Sequence, residues 1–204
     1  MTAEHRSGLD QPDRPEGTFG PSAIATPANF VTITRLFVSP FLFAMLANDD
    51  VSWEATLLWA VLALTDGVDG WIARRQGATR SGAFLDPLAD KVLVLGAMAV
   101  LVGSGAFGWV PFALIAAREL AISLYRSYWG RRGLAIPARK SAKVKTVMQE
   151  LAVTAVICPP VAEHLPWLGE TLLWAAVVLT LVSGVQYVVD GQRATTTMGA
   201  DPTP

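Results

Sequence analysis

The sequence of 204 residues has little charge and almost no cysteine. Charged residues make up 16% of it and hydrophobic residues 52%, whereas a soluble domain usually has about a quarter charged residues. Cys158, the single cysteine, lies in an apolar run, which excludes a disulfide framework and a cysteine-based metal site. The net charge of −1 gives no reason to expect nucleic-acid binding. This composition is typical of a membrane protein.

Long apolar runs are absent from both ends of the chain. Residues 1–25 are polar, contain three prolines and have no short apolar run behind a basic start, so we expect no cleaved signal peptide. Residues 191–204 have the same polar character. We therefore expect disordered tails at 1–25 and 191–204, with one membrane domain at 26–190 between them.

Six apolar segments of roughly membrane-spanning length fill the middle of the chain. They lie near 30–47, 53–74, 82–103, 109–130, 143–161 and 167–189. Backbone groups in lipid must be hydrogen-bonded within the protein, which favours helices. We therefore predict an all-α integral membrane protein with six transmembrane helices. The stretch TPANFVTITRLF is polar before the first apolar run, which indicates a short N-terminal interfacial helix.

Lysine and arginine are missing from the loops after the first, third and fifth segments, whereas the loops after the second and fourth are basic. Cytoplasmic loops of membrane proteins carry the excess of positive charge. We therefore expect a multi-pass protein of the cell membrane with both termini in the cytoplasm. The junction of the second and third segments would face the cytoplasm as well.

Four aspartates lie at that junction, within DGVDGWIARRQGATRSGAFLDPLAD. Asp66 and Asp69 are three residues apart, and Asp86 and Asp90 are four apart, so each pair shares one face of its helix. Four carboxylates in a low-dielectric site repel one another and need cations. Oxygen ligands of this kind suit Mg²⁺ or Mn²⁺. An ordinary charged helix end is the alternative, and four acids at this spacing argue against it.

The spacing of this stretch resembles the signature of the CDP-alcohol phosphatidyltransferases, Asp-x2-Asp-Gly-x2-Ala-Arg-x7-Gly-x3-Asp-x3-Asp, without a gap. The six-helix plan is similar too, so the likeness extends over about residues 26–190. The resemblance implies that the four aspartates bind two divalent ions and that Asp90 is also the general base. It implies nucleotide contacts from four other residues of the signature, namely Gly70, Ala73, Arg74 and Gly82.

The resemblance also implies a reaction. The acceptor hydroxyl would give its proton to Asp90 and attack the phosphorus of CDP-diacylglycerol that bears the lipid, and CMP would leave. Such a phosphoryl centre needs charge neutralisation and in-line placement more than covalent help.

Three further motifs are similar to those of the branch of the family that uses glycerol 3-phosphate. They are Pro-x-Asn-x2-Thr-x2-Arg from Pro27, Arg-Glu from Arg118, and Lys-x-Lys-Thr-x2-Gln from Lys143. By this likeness Arg118, Lys143 and Arg126 would bind the phosphate of glycerol 3-phosphate, because arginine among other cations suits an anion. The product would be phosphatidylglycerophosphate. Arg139 and Ala142 depart from the usual pattern, so inositol phosphate and phosphatidylglycerol (which would give cardiolipin) stay open as acceptors.

A cation transporter is the alternative from another class of protein. Its acids would lie near the bilayer midplane, often on broken or repeated segments. The four aspartates instead cluster at one end of two segments, and the sequence has no internal repeat. The enzyme is therefore the favoured interpretation.

The family likeness further implies a homodimer in contact with membrane lipids. Small residues let helices approach closely in membranes. Gly96, Gly103 and Gly184 are the candidates for such an interface.

Overall fold

A computed structural model describes most of the chain between residues 27 and 199. The described backbone covers 27–49, 51–76, 82–131 and 140–199, and the described side chains are those of 29–49, 51–65, 88–130 and 144–192. These residues form α-helices and contain no strand, which confirms the predicted all-α class for this part of the chain. The helices are α1 Pro27–Asn48, α2 Trp53–Gln76, α3 Gly82–Gly103, α4 Trp109–Arg131, α5 Lys140–Ile157, α6 Pro159–His164 and α7 Pro166–Gly199.

The six long helices correspond to the six predicted segments. Two spans, Asn29–Asn48 and Pro166–Gln192, are long and apolar enough to cross a membrane among the described residues. Trp53–Thr65 is a shorter apolar stretch. Passage of all six helices through the membrane therefore stays a prediction.

Proline ends α5 earlier than the sequence pattern indicates. The predicted fifth segment runs to residue 161, but α5 ends at Ile157 and the short α6 begins at Pro159. Proline lacks the backbone N–H that a helix interior needs, yet it fits the first turn of a new helix. Pro159 and Pro160 therefore start α6 instead of continuing α5.

α7 is longer than expected. It continues to Gly199, beyond the domain boundary at residue 190, so part of the expected C-terminal tail is helical. Gly191 is buried within the helix and does not end it. Beyond Gly191, the first proline in the sequence is Pro202.

The predicted interfacial helix is not a separate element in the described part of the chain. α1 is continuous from Pro27 to Asn48, and its polar beginning forms the first turns of the long helix. Asn29, Thr32 and Arg35 are 0–1% exposed. Their spacing of three residues places them on one helix face, so they point to neighbouring helices and away from the surface.

Two groups of helices build the interior. α1 packs on α2 and α3, and α5 packs on α7, which also contacts α4. α2 joins the groups through Trp59, whose indole N–H donates to Thr154 Oγ1 of α5 at 3.0 Å. Thr56 of α2 donates to the Ile157 carbonyl at 3.0 Å. The buried apolar side chains around Trp59 form one cluster.

Glycines allow close helix contacts within this chain. A Cβ at Gly96 of α3 would collide with the ring of Phe43 on α1, and a Cβ at Gly169 of α7 would collide with Val156 on α5. Gly103 has no atom within 4 Å of its Cβ position. Of the glycines considered for a dimer interface, Gly96 therefore serves packing inside the protomer.

Candidate functional site

The backbone places the four aspartates on two helices that meet at one junction. Asp66 and Asp69 lie near the end of α2, and Asp86 and Asp90 lie in the first turns of α3. Each pair therefore lies on one helix face, as the spacing predicts. The side chains of Asp66, Asp69 and Asp86 are outside the described residues, and Asp90 is half-buried. Among the described side chains no group of three acids, histidines or cysteines occurs.

The residues predicted to contact the nucleotide lie on the same two helices. Gly70, Ala73 and Arg74 belong to the last turns of α2, and Gly82 is the first residue of α3. Their side-chain surroundings lie outside the described residues. Their roles therefore stay predictions from the resemblance.

Next to Asp90, three cations surround one buried carboxylate. Glu119 of α4 is 5% exposed, and its Oε1 accepts hydrogen bonds from Lys145 Nζ of α5 and, at 2.9 Å, from Arg118 Nη1. Lys91 Nζ of α3 lies 3.8 Å from the other oxygen, Oε2. These four residues form the Glu119 cluster, namely Lys91, Arg118, Glu119 and Lys145.

Hydroxyl groups hold the cations of the Glu119 cluster in place. Lys91 Nζ donates to Ser123 Oγ, and that hydroxyl donates to the Glu119 carbonyl at 2.6 Å. Arg118 Nη2 donates to Ser183 Oγ of α7 at 2.9 Å. The cluster therefore connects α3, α4, α5 and α7 at one place.

Positive charge exceeds negative charge among the described residues of this region. Lys91 lies within electrostatic range of Glu119, Asp90, Arg118 and Arg126. Lys145 lies within electrostatic range of Glu119, Arg118 and Lys91. The described charges here are therefore four cations and two carboxylates, namely Lys91, Arg118, Arg126 and Lys145, and Asp90 and Glu119, whereas the side chain of Asp86 lies outside the described residues. Buried charge is costly unless it is paired. The arrangement is therefore suited to bind an anion through charge-assisted hydrogen bonds.

The predicted acceptor residues have different environments. The Arg118 side chain is 10% exposed and belongs to the Glu119 cluster. Arg126 is exposed and lies two turns further along α4, beside Tyr125, whose ring packs edge-on against Tyr187 of α7 at 6.1 Å. The side chain of Lys143 is outside the described residues.

Sequence reasoning missed the role of Lys145. It is 7% exposed and bonded to Glu119. Residues i and i+2 of an α-helix are about 200° apart around the helix axis. Lys143 and Lys145 have this spacing and therefore do not share a face. The sequence did contain a signal, because the spacing of Lys145, Gln149 and Ala152 places them on one helix face. The structure shows that all three are buried.

Lys91 and Ser183 were also missed. Lys91 directly follows Asp90, and Ser183 lies 65 residues after Arg118. An isolated serine in an apolar helix is a weak signal by itself, since its hydroxyl often bonds to its own backbone. Only the packing of α7 on α4 gives Ser183 a role.

Known proteins match the chain over most of its length. Residues 25–182 match the model of the family described as CDP-alcohol phosphatidyltransferase. A protein of Mycobacterium tuberculosis named probable phosphatidylglycerophosphate synthase is 37% identical over 180 residues, covering 85% of each chain. A protein of Shigella flexneri named CDP-diacylglycerol–glycerol-3-phosphate 3-phosphatidyltransferase is 38% identical to this chain, covering 78% of this chain and 90% of the relative. A protein of Rickettsia felis with the same name is 32% identical, covering 78% of this chain and 91% of the relative. The chain therefore belongs to the CDP-alcohol phosphatidyltransferase family.

Proposed function

We propose that the protein transfers the phosphatidyl group of CDP-diacylglycerol to glycerol 3-phosphate, giving phosphatidylglycerophosphate and CMP. Relatives with that activity in their names support the choice of acceptor. The observation that carries the proposal is the position of Lys91. It follows Asp90 on α3, and its ammonium contacts Ser123 and approaches Glu119 on α4. The predicted general base therefore adjoins a group of cations suited to a phosphate.

In this proposal the Glu119 cluster binds the phosphate of the acceptor. Arg118 and Lys145 are mostly buried, and each has N–H donors beyond its bond to Glu119. A phosphate dianion would offset the excess of positive charge and accept these hydrogen bonds. Lys143 and Arg126 stay proposed contributors from the family likeness, Lys143 from the first turn of α5 on a different face from Lys145, and Arg126 from the exposed side of α4. Glu119 keeps the cations in a fixed arrangement between turnovers.

The four aspartates fit divalent ions. Asp66 and Asp69 on α2, and Asp86 and Asp90 on α3, supply hard oxygen donors one helix turn apart, which are the ligands that Mg²⁺ and Mn²⁺ take. Two such ions would neutralise the pyrophosphate of CDP-diacylglycerol and act as Lewis acids there.

The protein's own residues would perform the remaining steps. Asp90 accepts the proton of the acceptor hydroxyl while that oxygen forms a bond to the lipid-bearing phosphorus. The bond from this phosphorus to the oxygen of CMP breaks, and CMP leaves with the electron pair. Four residues of α2 and α3 would contact the nucleotide, namely Gly70, Ala73, Arg74 and Gly82.

The apolar helices and the family membership indicate a membrane location. We further propose a domain over 26–190 whose six long helices cross the membrane, with both termini and the aspartate junction in the cytoplasm. Diacylglycerol chains would then stay among the helices and lipids while soluble glycerol 3-phosphate enters from the aqueous side. A homodimer is part of the same proposal.

Other acceptors define the competing outcomes. Inositol phosphate also has a phosphate that the Glu119 cluster could bind, and phosphatidylglycerol has one within its headgroup. A cation transporter, the alternative from another class, does not agree with the family to which the chain belongs.

The deciding experiment is CMP release by the purified protein in detergent, with CDP-diacylglycerol, Mg²⁺ and one acceptor at a time. Release with glycerol 3-phosphate alone is the expected result. Release with inositol phosphate or phosphatidylglycerol alone would refute glycerol 3-phosphate as the acceptor. Transfer of the phosphatidyl group from CDP-diacylglycerol would still hold. A chelator should stop the reaction, and Mg²⁺ or Mn²⁺ should restore it. Activity that is unchanged by the chelator would refute the metal assignment.

A further inference from the structure

We infer that Ser183 and Gly184 of α7 are positioning residues for the Arg118 guanidinium, and that the absence of a side chain at Gly184 strengthens binding of the acceptor's phosphate. The inference rests on the proposed function, because it concerns the residue proposed to bind that phosphate. α7 contains none of the four signature aspartates and none of the predicted acceptor residues. It would nevertheless help to decide how tightly the acceptor binds.

Gly184 gives the Arg118 side chain its space. It is buried in α7, and a Cβ at this position would lie 3.0 Å from Arg118 Nε, 3.3 Å from Cγ and 3.8 Å from Cδ. Carbon atoms in good contact are about 3.5–4.0 Å apart. The crowded atoms run from Cγ to Nε of the guanidinium, between a backbone fixed in α4 and two terminal nitrogens that already have partners. Arg118 therefore cannot avoid a new methyl group by moving only its tip.

Ser183 fixes one end of the guanidinium. Its hydroxyl donates to the Thr180 carbonyl at 3.0 Å, and a hydroxyl has only one hydrogen to donate. Its lone pairs are therefore directed to Arg118 Nη2, which donates to it at 2.9 Å. Ser183 is 4% exposed, so water has little access to this contact.

Glu119 fixes the other end of the Arg118 guanidinium, and the Nε–H of Arg118 stays available as a donor. Glu119 Oε1 accepts from Arg118 Nη1 at 2.9 Å. Arg118 Nε is buried and has no hydrogen-bond partner among the described residues, although a buried donor without a partner is costly. An incoming phosphate would satisfy it. A Cβ at Gly184 would crowd this same nitrogen.

The test is the kinetics of Gly184→Ala with each substrate varied separately. The loss of one charge-assisted hydrogen bond to the phosphate corresponds to binding that is roughly tenfold weaker. We expect the KM for glycerol 3-phosphate to rise by about this factor and the KM for CDP-diacylglycerol to stay unchanged. Ser183→Ala should raise the same KM, and Ser183→Thr, which keeps the hydroxyl, should restore it.

Two glycines provide matched controls. The atoms nearest to a Cβ at Gly96 of α3 all belong to Phe43 of α1, whereas those nearest to a Cβ at Gly184 belong to Arg118, so Gly96→Ala reports damage to packing without crowding Arg118. Gly103→Ala meets no atom within 4 Å and should behave as the unchanged protein. If Gly96→Ala raises the acceptor KM as much as Gly184→Ala does, the effect is general and the inference is wrong.

A double variant separates positioning from other causes. In an Arg118→Ala background there is no guanidinium to displace, so Gly184→Ala should not raise the acceptor KM further. An additive rise would overturn the inference, as would a normal KM in Gly184→Ala alone.

Failure of the proposed function is recognised separately, in the unsubstituted protein. If that protein uses another phosphorylated acceptor, the same variants are measured with it. If its acceptor has no phosphate, both proposals are refuted.

Discussion

Neutralising Glu119 should destabilise the protein, because three cations share its carboxylate. Glu119→Gln keeps the size of the side chain and removes its charge. Lys145 and Arg118 would then lose their charged partner while their side chains are only 9% and 10% exposed. At such burial little solvent is available to replace the lost interaction. Lys91 is 31% exposed and 3.8 Å from the carboxylate, so it should contribute less.

The expected loss of stability is about 3–5 kcal/mol, the usual cost of removing one partner of a buried ion pair. Most of that cost comes from the cation left behind, not from the net strength of the pair. Glu119→Gln combined with Lys145→Met removes both the negative charge of Glu119 and the positive charge of Lys145. The double variant should therefore regain part of the stability that the single variant loses, since Arg118 still lacks its charged partner.

Unfolding of the detergent-solubilised protein, followed by tryptophan fluorescence, would measure both variants and Lys145→Met alone. The three values give the coupling energy between Glu119 and Lys145. A Glu119→Gln variant as stable as the unsubstituted protein would refute the reasoning. So would a double variant that is less stable than Glu119→Gln, because the buried cation would then not be the source of the loss.

Three further substitutions test separate parts of the structure. Asp90→Asn should abolish CMP release while the thermal unfolding midpoint stays close to that of the unsubstituted protein; substantial activity would contradict the general-base role. Gly96→Ala should lower the unfolding midpoint by overpacking against Phe43, at a cost of about 1–3 kcal/mol, and a normal midpoint would contradict the packing of α1 on α3. Trp59→Phe should lower the free energy of unfolding by about 1 kcal/mol or more, since it removes the hydrogen bond to Thr154. If Trp59→Phe lowers the stability equally in a Thr154→Val background, this hydrogen bond contributes nothing.

The helices were largely predictable because their limits are local properties. The third segment was expected at 82–103 and α3 is Gly82–Gly103; the fourth was expected at 109–130 and α4 is Trp109–Arg131. Apolar length and connections rich in glycine, proline and aspartate determine such limits. The prediction was less accurate where two signals conflicted. Apolar residues continue past Ile157, but Pro159 starts a new helix there.

The polar face at the start of α1 shows what composition alone could not decide. Asn29, Thr32 and Arg35 suggested a helix at the membrane surface, because polar residues before an apolar run often lie there. In the structure they are buried between α1 and its neighbours. A sequence records that a residue is polar, but the surrounding helices determine whether it faces solvent or protein.

By itself the sequence determined the helical class, the approximate helix limits and, through the spacing of its aspartates, the family. Only the tertiary structure decided which cations meet. Lys145 reaches Glu119 from 26 residues away and Ser183 reaches Arg118 from 65 residues away. Helical periodicity relates residues within about two turns, whereas these contacts depend on how α5 and α7 pack on α4. The same packing brings Gly184 against Arg118, a contact that no spacing in the sequence indicates.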